Sequence, residues 1–567
     1  MTLDVQRICH RWDLNPEHDI AESDAAEEST QEWTPREDIV GRAKEGLMAK
    51  AQEKVIPPRN RRLSQAAVGD RRVRFPYCRV TLVDGAPVVE GLPQHRLGHR
   101  VGPADGIFAE WLWDGQSLTA NNDRYGFYPL FYYAVDHEIA VSPSIAQLLA
   151  AGAPRDLDEE SIAVFLCLGF FLGDSTAFKH VRAMPPAGHL RWDGELQLSG
   201  GAHLSKEQRL SRAAAIEGYV LLLRESIRRR PAIGRDCITL SGGRDSRHIL
   251  LELCAAKRPP DLAITAELYP PAARDDVEIA KQLAAALGVS HAVVQAPRDR
   301  WTAESRKNLI TSWCADEHAW ILEAAARAQD SATSLYDGIG GDVLSAGLFL
   351  DETSLALMRK SPERFAGHLV RRASAHEYLT VDAQRRFSLE MARHQIAIEA
   401  ARHTAAPNPV GSFYFWNRTR REIALSPYGV FGAVPIVYGP YLDHQLFDHL
   451  GSLPAELLLD HRFHDETIHA AHERYAAIPF QDKQAPPRVD RRFGRRVAWQ
   501  LLRWLKAHRH GRFVAVDKLQ RLAARRLLDG YHPSLDGAEP CKLVWLLEVT
   551  ALAEGREIAP PTGVTVE

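Results

Sequence analysis

The feature that most constrains this chain is one short stretch, CITLSGGRDSRHILLEL, at residues 237–253. It begins with an apolar strand pattern, continues through Ser-Gly-Gly and Asp-Ser, and runs directly into a helical pattern. A strand that passes so directly into a helix is typical of a parallel α/β sheet. Ligands bind such sheets at the carboxyl ends of the strands, where helix N-termini direct unpaired N–H groups into one crevice. The stretch therefore predicts a ligand site at residues 241–246.

The sequence around this stretch repeats the alternation of strand and helix. A helix is predicted at 213–230, and the elements that follow are strand 237–240, helix 246–257, strand 262–266, helix 275–287, strand 291–294 and strand 334–336. This pattern predicts an α/β fold with a doubly wound parallel sheet, within a domain at 205–567.

The earlier part of the chain has a different character. Short apolar segments such as 79–83, 118–121 and 130–134 are separated by Gly, Pro and Asp, which predicts a mainly β domain at 67–204. Residues 1–66 are first acidic and then basic with few aromatic residues, and we expect a flexible charged extension there.

Length and composition limit the classes of protein to consider. A chain of 567 residues is too long for one ordinary core, and a net charge of -3 with 45% hydrophobic residues fits a soluble globular protein that has no general attraction to nucleic acid or membrane. Seven cysteines without CxxC spacing favour free thiols. The N-terminus lacks a signal-peptide pattern, and the apolar run at 162–172 is too short to span a bilayer. We therefore expect a cytoplasmic protein without a membrane anchor.

The residue types at 241–246 suit a phosphate group held with a cation. Gly242 and Gly243 permit close approach of the backbone, and the hydroxyls of Ser241 and Ser246 can donate hydrogen bonds. A carboxylate at Asp245 would repel a phosphate unless a divalent cation lay between them, so Asp245 is predicted to be a Mg²⁺ ligand. A capped strand–turn–helix junction explains a bare SGG equally well, but it accounts less well for the whole SGGxDS string.

This string resembles the pyrophosphate-binding loop of the ATP pyrophosphatases, which cleave ATP between the α- and β-phosphates and adenylate an oxygen. It does not follow the GxxxxGK[ST] order of a Walker loop. A second stretch, SLYDGIGGDVLSAG at 334–347, resembles the SGxGxDE loop of asparagine synthetases and β-lactam synthetases. The resemblance places Asp342 on the aspartate that holds Mg²⁺ there, opposite Asp245. Two such carboxylates are what a metal-bridged ATP site requires.

Three other segments extend the resemblance. YGPYLDHQLFDHLGSLPAELLL at 438–459 is similar to the PFLD…SLP segment of these synthetases, and residues 106–133 and 174–192 are similar to their glutaminase domain and to the segment that joins it to the synthetase half. The resemblance to the asparagine synthetase-like family covers about 72–484. It implies a degenerate Ntn-hydrolase-like domain, followed by an ATP pyrophosphatase fold of the adenine nucleotide α-hydrolase type, with ATP and Mg²⁺ as cofactors.

The glutaminase half departs from the family pattern. True asparagine synthetases use a cysteine exposed as the new N-terminus, whereas this chain has Thr2 at that position, and Cys9 and Cys78 are interior. We therefore expect no glutamine hydrolysis, as in the β-lactam synthetases and lasso-peptide cyclases that this arrangement resembles. The nitrogen would come from a substrate amine or from ammonia.

The synthetase half also departs from the pattern. Ile339 stands where the family has a glutamate that assists attack by the amine, and Asp465 aligns with a lysine that stabilises adenylation. Lys483 is close enough in sequence to supply the displaced cation, and we predict a catalytic role for it. The resemblance also places Leu240 and the Gly338 backbone beside the adenine and ribose. These changes leave the ATP half of the site intact and weaken the case for the second half-reaction.

Several charged residues near these motifs have two interpretations. Arg244 and Arg247 suit a phosphate or a substrate carboxylate, although Arg247 also fits an exposed helical turn. Glu317 and His318 are candidates for amine recognition. Four histidines in one segment fit either a metal site or general base, or a partly exposed helical face: His461, His464, His469 and His472.

The basic stretch at 488–513 contains Trp499 and Trp504. It suits a polyanionic partner such as an acidic peptide, a glycan or tRNA, and it also suits an amphipathic helix that packs both tryptophans inward, which is the favoured interpretation.

The sequence thus predicts an ATP-dependent ligase that adenylates a small-molecule or peptide carboxylate, releases AMP and pyrophosphate, and transfers the acyl group to an amine or ammonia. The alternatives are authentic asparagine synthesis from ammonia, a tRNA-modifying pyrophosphatase, and a pseudosynthetase that binds ATP without turnover. A homodimer is compatible with the sequence and is not required by it.

Overall fold

The computed structural model describes residues 75–102, 105–270, 275–371, 375–481, 490–508, 511–530 and 539–556. These residues belong to one compact unit. The charged extension predicted at 1–66 and the proposed catalytic Lys483 lie outside the described residues.

Ten short strands form the first part of the described chain. They are β1 Cys78–Val83, β2 Ala86–Gly91, β3 Gln94–Arg100, β4 Gly106–Trp113, β5 Leu118–Asn122, β6 Phe131–Val135, β7 Glu138–Ser142, β8 Arg182–Ala183, β9 His189–Trp192 and β10 Leu196–Ser199. Two antiparallel sheets result, with the orders β2-β1-β7-β6-β8 and β10-β9-β5-β4-β3. The mainly β character predicted for this region agrees with this arrangement.

The two antiparallel sheets share a hydrophobic core because their strands bury one face. Along β1, Cys78 and Val80 are fully buried, whereas Arg79 and Thr81 are partly exposed. Successive residues of a strand point to opposite faces, so this alternation gives β1 one apolar face. That face joins Trp111 of β4 in a single hydrophobic cluster.

A five-stranded parallel sheet forms the second part. Its strands are β11 Asp236–Thr239, β12 Leu262–Glu267, β13 His291–Gln295, β14 Ser334–Tyr336 and β15 Ile436–Tyr438. All neighbouring pairs are parallel, in the order β13-β12-β11-β14-β15. The first four strands agree with the sequence prediction to within a residue or two, whereas β15 is not among the predicted strands.

Helices connect and cover these strands. They are α1 Ile145–Ala150, α2 Glu159–Leu168, α3 Arg212–Arg228, α4 Asp245–Ala255, α5 Asp275–Leu287, α6 Arg300–Ile310, α7 Leu322–Gln329, α8 Gly341–Ser345, α9 Glu352–Lys360, α10 Pro362–Val370, α11 Val381–Arg386, α12 Leu389–Ala401, α13 Pro409–Tyr414, α14 His444–Gly451, α15 Phe463–His472, α16 Arg491–Ala507, α17 Val516–Asp529 and α18 Glu539–Ala553. None of the helices in the described ranges is long and apolar enough to cross a membrane.

The strand order reverses direction at the centre of the parallel sheet. The chain proceeds from β11 outward to β12 and β13, then returns to the other side of β11 to form β14 and β15. Connections that leave two adjacent parallel strands in opposite directions open a crevice at the carboxyl ends of those strands, which is where open α/β sheets bind ligands. The two glycine-rich stretches follow β11 and β14 and therefore meet at this point.

Candidate functional site

The first glycine-rich loop is held by its own hydrogen bonds. The amide of Ser241 donates to the hydroxyl of Ser246 over 3.0 Å, and the amide of Gly243 donates to the Ser241 hydroxyl over 3.2 Å. Ser246 is buried at the start of α4. These bonds turn the chain sharply from strand into helix and bring the two serine hydroxyls within 3.2 Å of each other.

A carboxylate that the sequence reasoning missed lies against this loop. Asp276, at the start of α5, accepts a hydrogen bond of 2.7 Å from the amide of Gly242. A Cβ atom added to Gly242 would lie 3.0 Å from the Asp276 carbonyl oxygen, so the close packing favours glycine. Burial raises the pKa of Asp276 to about 6, and the bond from Gly242 opposes that rise. The Gly242 amide is therefore already engaged by an acid, and a phosphate would have to displace it.

The second glycine-rich loop packs directly on Asp245. A Cβ atom added to Gly341 would lie 2.5 Å from Asp245 Oδ1, and one added to Gly338 would lie 2.8 Å from Asp245 Cβ. Gly340 has a φ of +87°, a left-handed conformation that favours glycine. Asp342 follows at the start of α8, where its Oδ1 accepts a hydrogen bond of 2.8 Å from the Val343 amide. The structure thus brings the two glycine-rich loops together at the switch point.

A buried histidine lies against Asp245. His464 Nδ1 lies 3.3 Å from Asp245 Oδ1 and 3.0 Å from the Ser345 hydroxyl, and its Nε2 lies 3.0 Å from the Tyr219 hydroxyl. Burial, together with the charge of Arg244, lowers the pKa of His464 to about 3. His464 is therefore neutral at physiological pH, and it links the carboxylate of the first loop to the helix of the second.

The four histidines of this segment do not converge on one another. His461 lies against the Ala346 carbonyl at 3.1 Å, and the ring of His469 packs against Phe480 with centroids 5.8 Å apart. His464 and His472 instead both approach His248 of α4, with ring centroids 5.4 and 6.1 Å away.

Arg244 and Asp465 form an ion pair that the sequence did not reveal. The Arg244 guanidinium donates two hydrogen bonds to the Asp465 carboxylate, from Nε to Oδ1 and from Nη2 to Oδ2, the latter at 3.0 Å. Both side chains are partly exposed, at 26% and 22%. The positive charge beside the first loop thus belongs to Arg244, a residue of the loop itself. Its negative partner, Asp465, lies at the position where the resemblance to asparagine synthetases predicts a lysine.

Arg247 is not exposed on the helical turn and has a structural role. It is 2% exposed, and it donates to the carbonyls of Ile478 over 2.8 Å and Pro479 over 2.5 Å. Its guanidinium also lies over the ring of Phe480 at 4.3 Å. These contacts fasten the segment after α15 to α4, and they engage the guanidinium that the sequence suggested for a phosphate.

Two other residues assigned from the family pattern are buried. Leu240 is 3% exposed, and its carbonyl accepts a hydrogen bond of 2.7 Å from the Thr265 hydroxyl. Ile339 is 4% exposed, and a Cβ atom on Gly439 would lie 3.1 Å from its Cγ2. Ile339 therefore belongs to the core beside the second loop, where an apolar side chain is the stable choice.

The pair Glu317 and His318 lies in a second group of charged side chains. His318 is buried with its Nε2 3.1 Å from the Glu422 carbonyl, and burial lowers its pKa to about 3. Glu317 lies 3.6 Å from Arg418, which is also 3.4 Å from Glu422. Burial lowers the pKa of Arg418, but the nearby carboxylates raise it by more, and the pKa is raised overall. These carboxylates belong to Glu317, Glu422 and Asp342. This group is thus electrostatically connected to the second loop.

The described part of the basic C-terminal stretch forms α16, which packs against α17 and α6. Trp504 is turned toward the protein, and its Nε1 donates to the Ser305 hydroxyl over 3.2 Å. Trp499 is 49% exposed, with the Arg503 guanidinium over its ring at 4.7 Å. Only one of the two tryptophans packs inward, so the amphipathic interpretation holds for Trp504 and not for Trp499.

The comparison with known protein families concerns the β-rich part of the chain. Residues 95–199, from β3 to β10, match the family model of a glutamine amidotransferase domain. This segment is a glutamine amidotransferase-like domain. No curated protein matches the chain.

The cysteines near this amidotransferase-like domain are not activated. Cys78, the first residue of β1, is fully buried, and burial raises the pKa of its thiol to about 12. The other cysteines within the described ranges also have raised pKa values because of burial: Cys167, Cys237, Cys254, Cys314 and Cys541. A catalytic cysteine needs its thiolate form, which these environments disfavour.

Proposed function

We propose that this protein is an ATP-dependent carbon–nitrogen ligase of the asparagine synthetase-like type. It would adenylate a substrate carboxylate, release pyrophosphate, and pass the acyl group to an amine or to ammonia with loss of AMP. The amidotransferase-like domain would contribute no glutaminase activity, in keeping with the raised thiol pKa values of the cysteines that the structure describes.

The observation that carries the proposal is the contact of the second loop with Asp245. The Gly341 backbone abuts the Asp245 carboxylate so closely that a methyl group does not fit between them. This contact occurs where β11 and β14 end side by side, at the reversal of strand order. Each loop has its own nucleotide-site pattern in the sequence, so their meeting at one ligand-binding crevice supports a shared site.

A third acid lies between the two strands that carry the loops. Asp337 directly follows β14, and its carboxylate accepts hydrogen bonds from the Thr239 hydroxyl over 2.8 Å and from the Ile339 amide over 2.9 Å. Thr239 is the last residue of β11, so these bonds join the carboxyl ends of β11 and β14. Burial raises the pKa of Asp337. We assign this acid to the support of the two loops rather than to the metal.

The donors present at the switch point fit a nucleotide with a hard divalent cation. Asp245 is 24% exposed, and Asp342 is also partly exposed, so both carboxylates keep a path to solvent. Oxygen ligands of this kind suit Mg²⁺, which would neutralise charge on the pyrophosphate leaving group. The Ser241 and Ser246 hydroxyls lie at the same edge as donors for phosphate oxygens.

The positive charge for this chemistry would come from Arg244. Its guanidinium stands beside the first loop and is held there by Asp465. Because Asp465 accepts from Nε and Nη2, phosphate oxygens would be bound from the Nη1 side of this guanidinium, where Arg244 would take the role that the family gives to a lysine. Lys483 remains a second candidate for this charge.

A pseudosynthetase is the second candidate function, and a specific observation favours it. Ile339 places a buried apolar side chain where the family pattern has an acid that assists the amine. A protein that binds ATP without turnover does not need that acid. Authentic asparagine synthesis from ammonia stays compatible with the adenylation half of the site.

Nucleotide binding tests the proposal before any substrate is known. We expect calorimetric titration with Mg²⁺ and α,β-methylene-ATP to show binding that weakens at least about tenfold in Asp245→Asn and Asp342→Asn, since each loses a charged contact worth roughly 1.5–3 kcal/mol to the site. Glu352→Gln, which removes an exposed charge at the start of α9, is the matched control. Equal affinity in the unaltered chain and all three variants would contradict the assignment of the nucleotide site to the two loops.

A further inference from the structure

A second group of side chains, of the types that bind metal ions, lies next to His464. His464 separates this group from the two glycine-rich loops. His248 and Glu252 are four positions apart on α4, which places them on one face of the helix. His472, the last residue of α15, approaches the same face. One ligand atom from each of the three residues lies within 4.8 Å of the other two.

His248 has a ring nitrogen that no described residue satisfies. Its side chain is fully buried, and its Nε2 has no hydrogen-bond partner among the described residues. Its Nδ1 lies 3.3 Å from His464 Nε2. A buried polar atom without a partner is uncommon in native proteins, and a bound ion is one of its ordinary explanations.

Glu252 supplies a negative charge in this interior. It is 3% exposed, its Oε1 lies 2.9 Å from His472 Nε2, and it accepts a hydrogen bond of 3.0 Å from Arg224 Nε. Glu252 thus places a buried carboxylate directly beside one of the two imidazoles.

We propose that His248, Glu252 and His472 form a binding site for Zn²⁺ or a chemically similar first-row divalent cation. Two imidazoles and one carboxylate are a ligand set that zinc takes in proteins, with the fourth position left to water. Zinc ligands at about 2.0–2.1 Å from the ion lie roughly 3.3 Å from one another, so ligand atoms that now lie within 4.8 Å would have to approach to that separation. Mg²⁺ prefers oxygen ligands and would not compete well here.

The site would couple α15 to α4 beside the nucleotide loops. Asp245 lies at the start of α4, and Asp465 lies near the start of α15. His464 connects the two regions, since its ring nitrogens lie 3.3 Å from His248 Nδ1 and 3.3 Å from Asp245 Oδ1. A cation at the far end of this contact chain would stabilise the position of α15 against the first loop. This metal site is independent of whether the loops bind ATP.

Metal binding by the untagged full chain tests this proposal. We expect Co²⁺ to give the intense visible absorption of a four-coordinate site at one equivalent, and Zn²⁺ to displace it. Glu252→Gln and His472→Ala should weaken binding at least about tenfold, because each removes a direct ligand. His469→Ala, on the same helix but packed against Phe480, is the matched control and should bind as the unaltered chain does.

Thermal unfolding gives a second measurement of metal binding in case one variant folds poorly. Zn²⁺ should raise the melting temperature of the unaltered chain and of His469→Ala, and it should leave that of Glu252→Gln unchanged. Absence of stoichiometric Co²⁺ binding by the unaltered chain would overturn the proposal. So would equal binding in all variants, because the ion would then be held elsewhere in the chain.

Discussion

Arg244 and Asp465 are joined by two hydrogen bonds across 221 positions of the sequence. The pair connects the first glycine-rich loop to α15, and it reverses the charge expected at position 465. The positively charged side chain of this pair belongs to the first loop, and the acid lies where the resemblance to asparagine synthetases predicts a lysine. The pair is only partly buried, so its value to stability is modest and its position beside the loop matters more.

The Arg244–Asp465 pair gives the first prediction. Arg244→Met should weaken Mg–ATP binding at least about tenfold, because a charge-assisted contact to phosphate is worth roughly 1.5–3 kcal/mol. Asp465→Asn should have a smaller effect, since the guanidinium is kept. Calorimetric titration measures the affinity of both variants for Mg–ATP. If both variants lose stability to a similar degree but keep their affinity, the pair is only structural.

Gly341 gives the second prediction. In Gly341→Ala the new methyl group would lie 2.5 Å from Asp245 Oδ1 and 2.9 Å from Tyr441 Cε2, so the loops must separate. We expect a loss of about 1–3 kcal/mol in the free energy of unfolding and weaker nucleotide binding. Chemical denaturation and titration measure the two effects. Gly102→Ala is the control, because no described residue lies within 4 Å of its added Cβ atom.

Asp276 gives a prediction about pH. Its pKa in the folded protein is raised to about 6, so the folded state binds the proton more tightly than the unfolded state does. The stability that this proton confers is present below the unfolded pKa near 3.8 and is lost as the pH rises through about 6. Asp276→Asn should therefore be more stable than the unaltered chain at alkaline pH by up to about 3 kcal/mol, at roughly 1.4 kcal/mol per pKa unit, and should lose this advantage as the pH falls toward the unfolded pKa.

Unfolding by urea across this pH range checks the Asp276 prediction. Glu278→Gln on the same helix is the control, since that side chain is 59% exposed and pairs with Lys281. A stability difference that does not change with pH would show that Asp276 does not titrate in this range.

The buried thiols give the fourth prediction. Because burial raises the pKa of Cys78 to about 12, a glutamine-derived electrophile should not label it at neutral pH, and glutamine should not support amide formation. Mass spectrometry of the treated protein and an ammonia-release assay measure this. Labelling of Cys78, or ammonia release that Cys78→Ala abolishes, would show that the amidotransferase-like domain is active.

Much of the fold could be predicted because its signals are local. The strands at 262–267 and 291–295 are continuous apolar or alternating runs between clear helices, and periodicity suffices to find them. β15 has only three residues and no such context, so its pattern does not reveal it. Its place in the sheet depends on pairing with β14, which is a contact distant in sequence.

The candidate site was predictable only in part for the same reason. The glycine-rich loops carry their own sequence patterns, so Asp245 and Asp342 could be selected from the sequence. Asp276, by contrast, contacts Gly242 from 34 positions away, and nothing in its local pattern distinguishes it from a helix-starting acid. His248 was missed because the local sequence does not show which residues pack against a histidine inside a helix.

The exchange of radiolabelled pyrophosphate into ATP tests the central claim most directly. We expect exchange that requires Mg²⁺ and one carboxylate from a panel that includes aspartate and peptide acids, and that is lost in Asp245→Asn while Glu352→Gln keeps it. That result would establish adenylation at the two loops and name the acyl donor. Exchange that persists in Asp245→Asn would contradict the assigned site, and Mg–ATP binding without exchange for any acid would contradict the ligase and favour the pseudosynthetase.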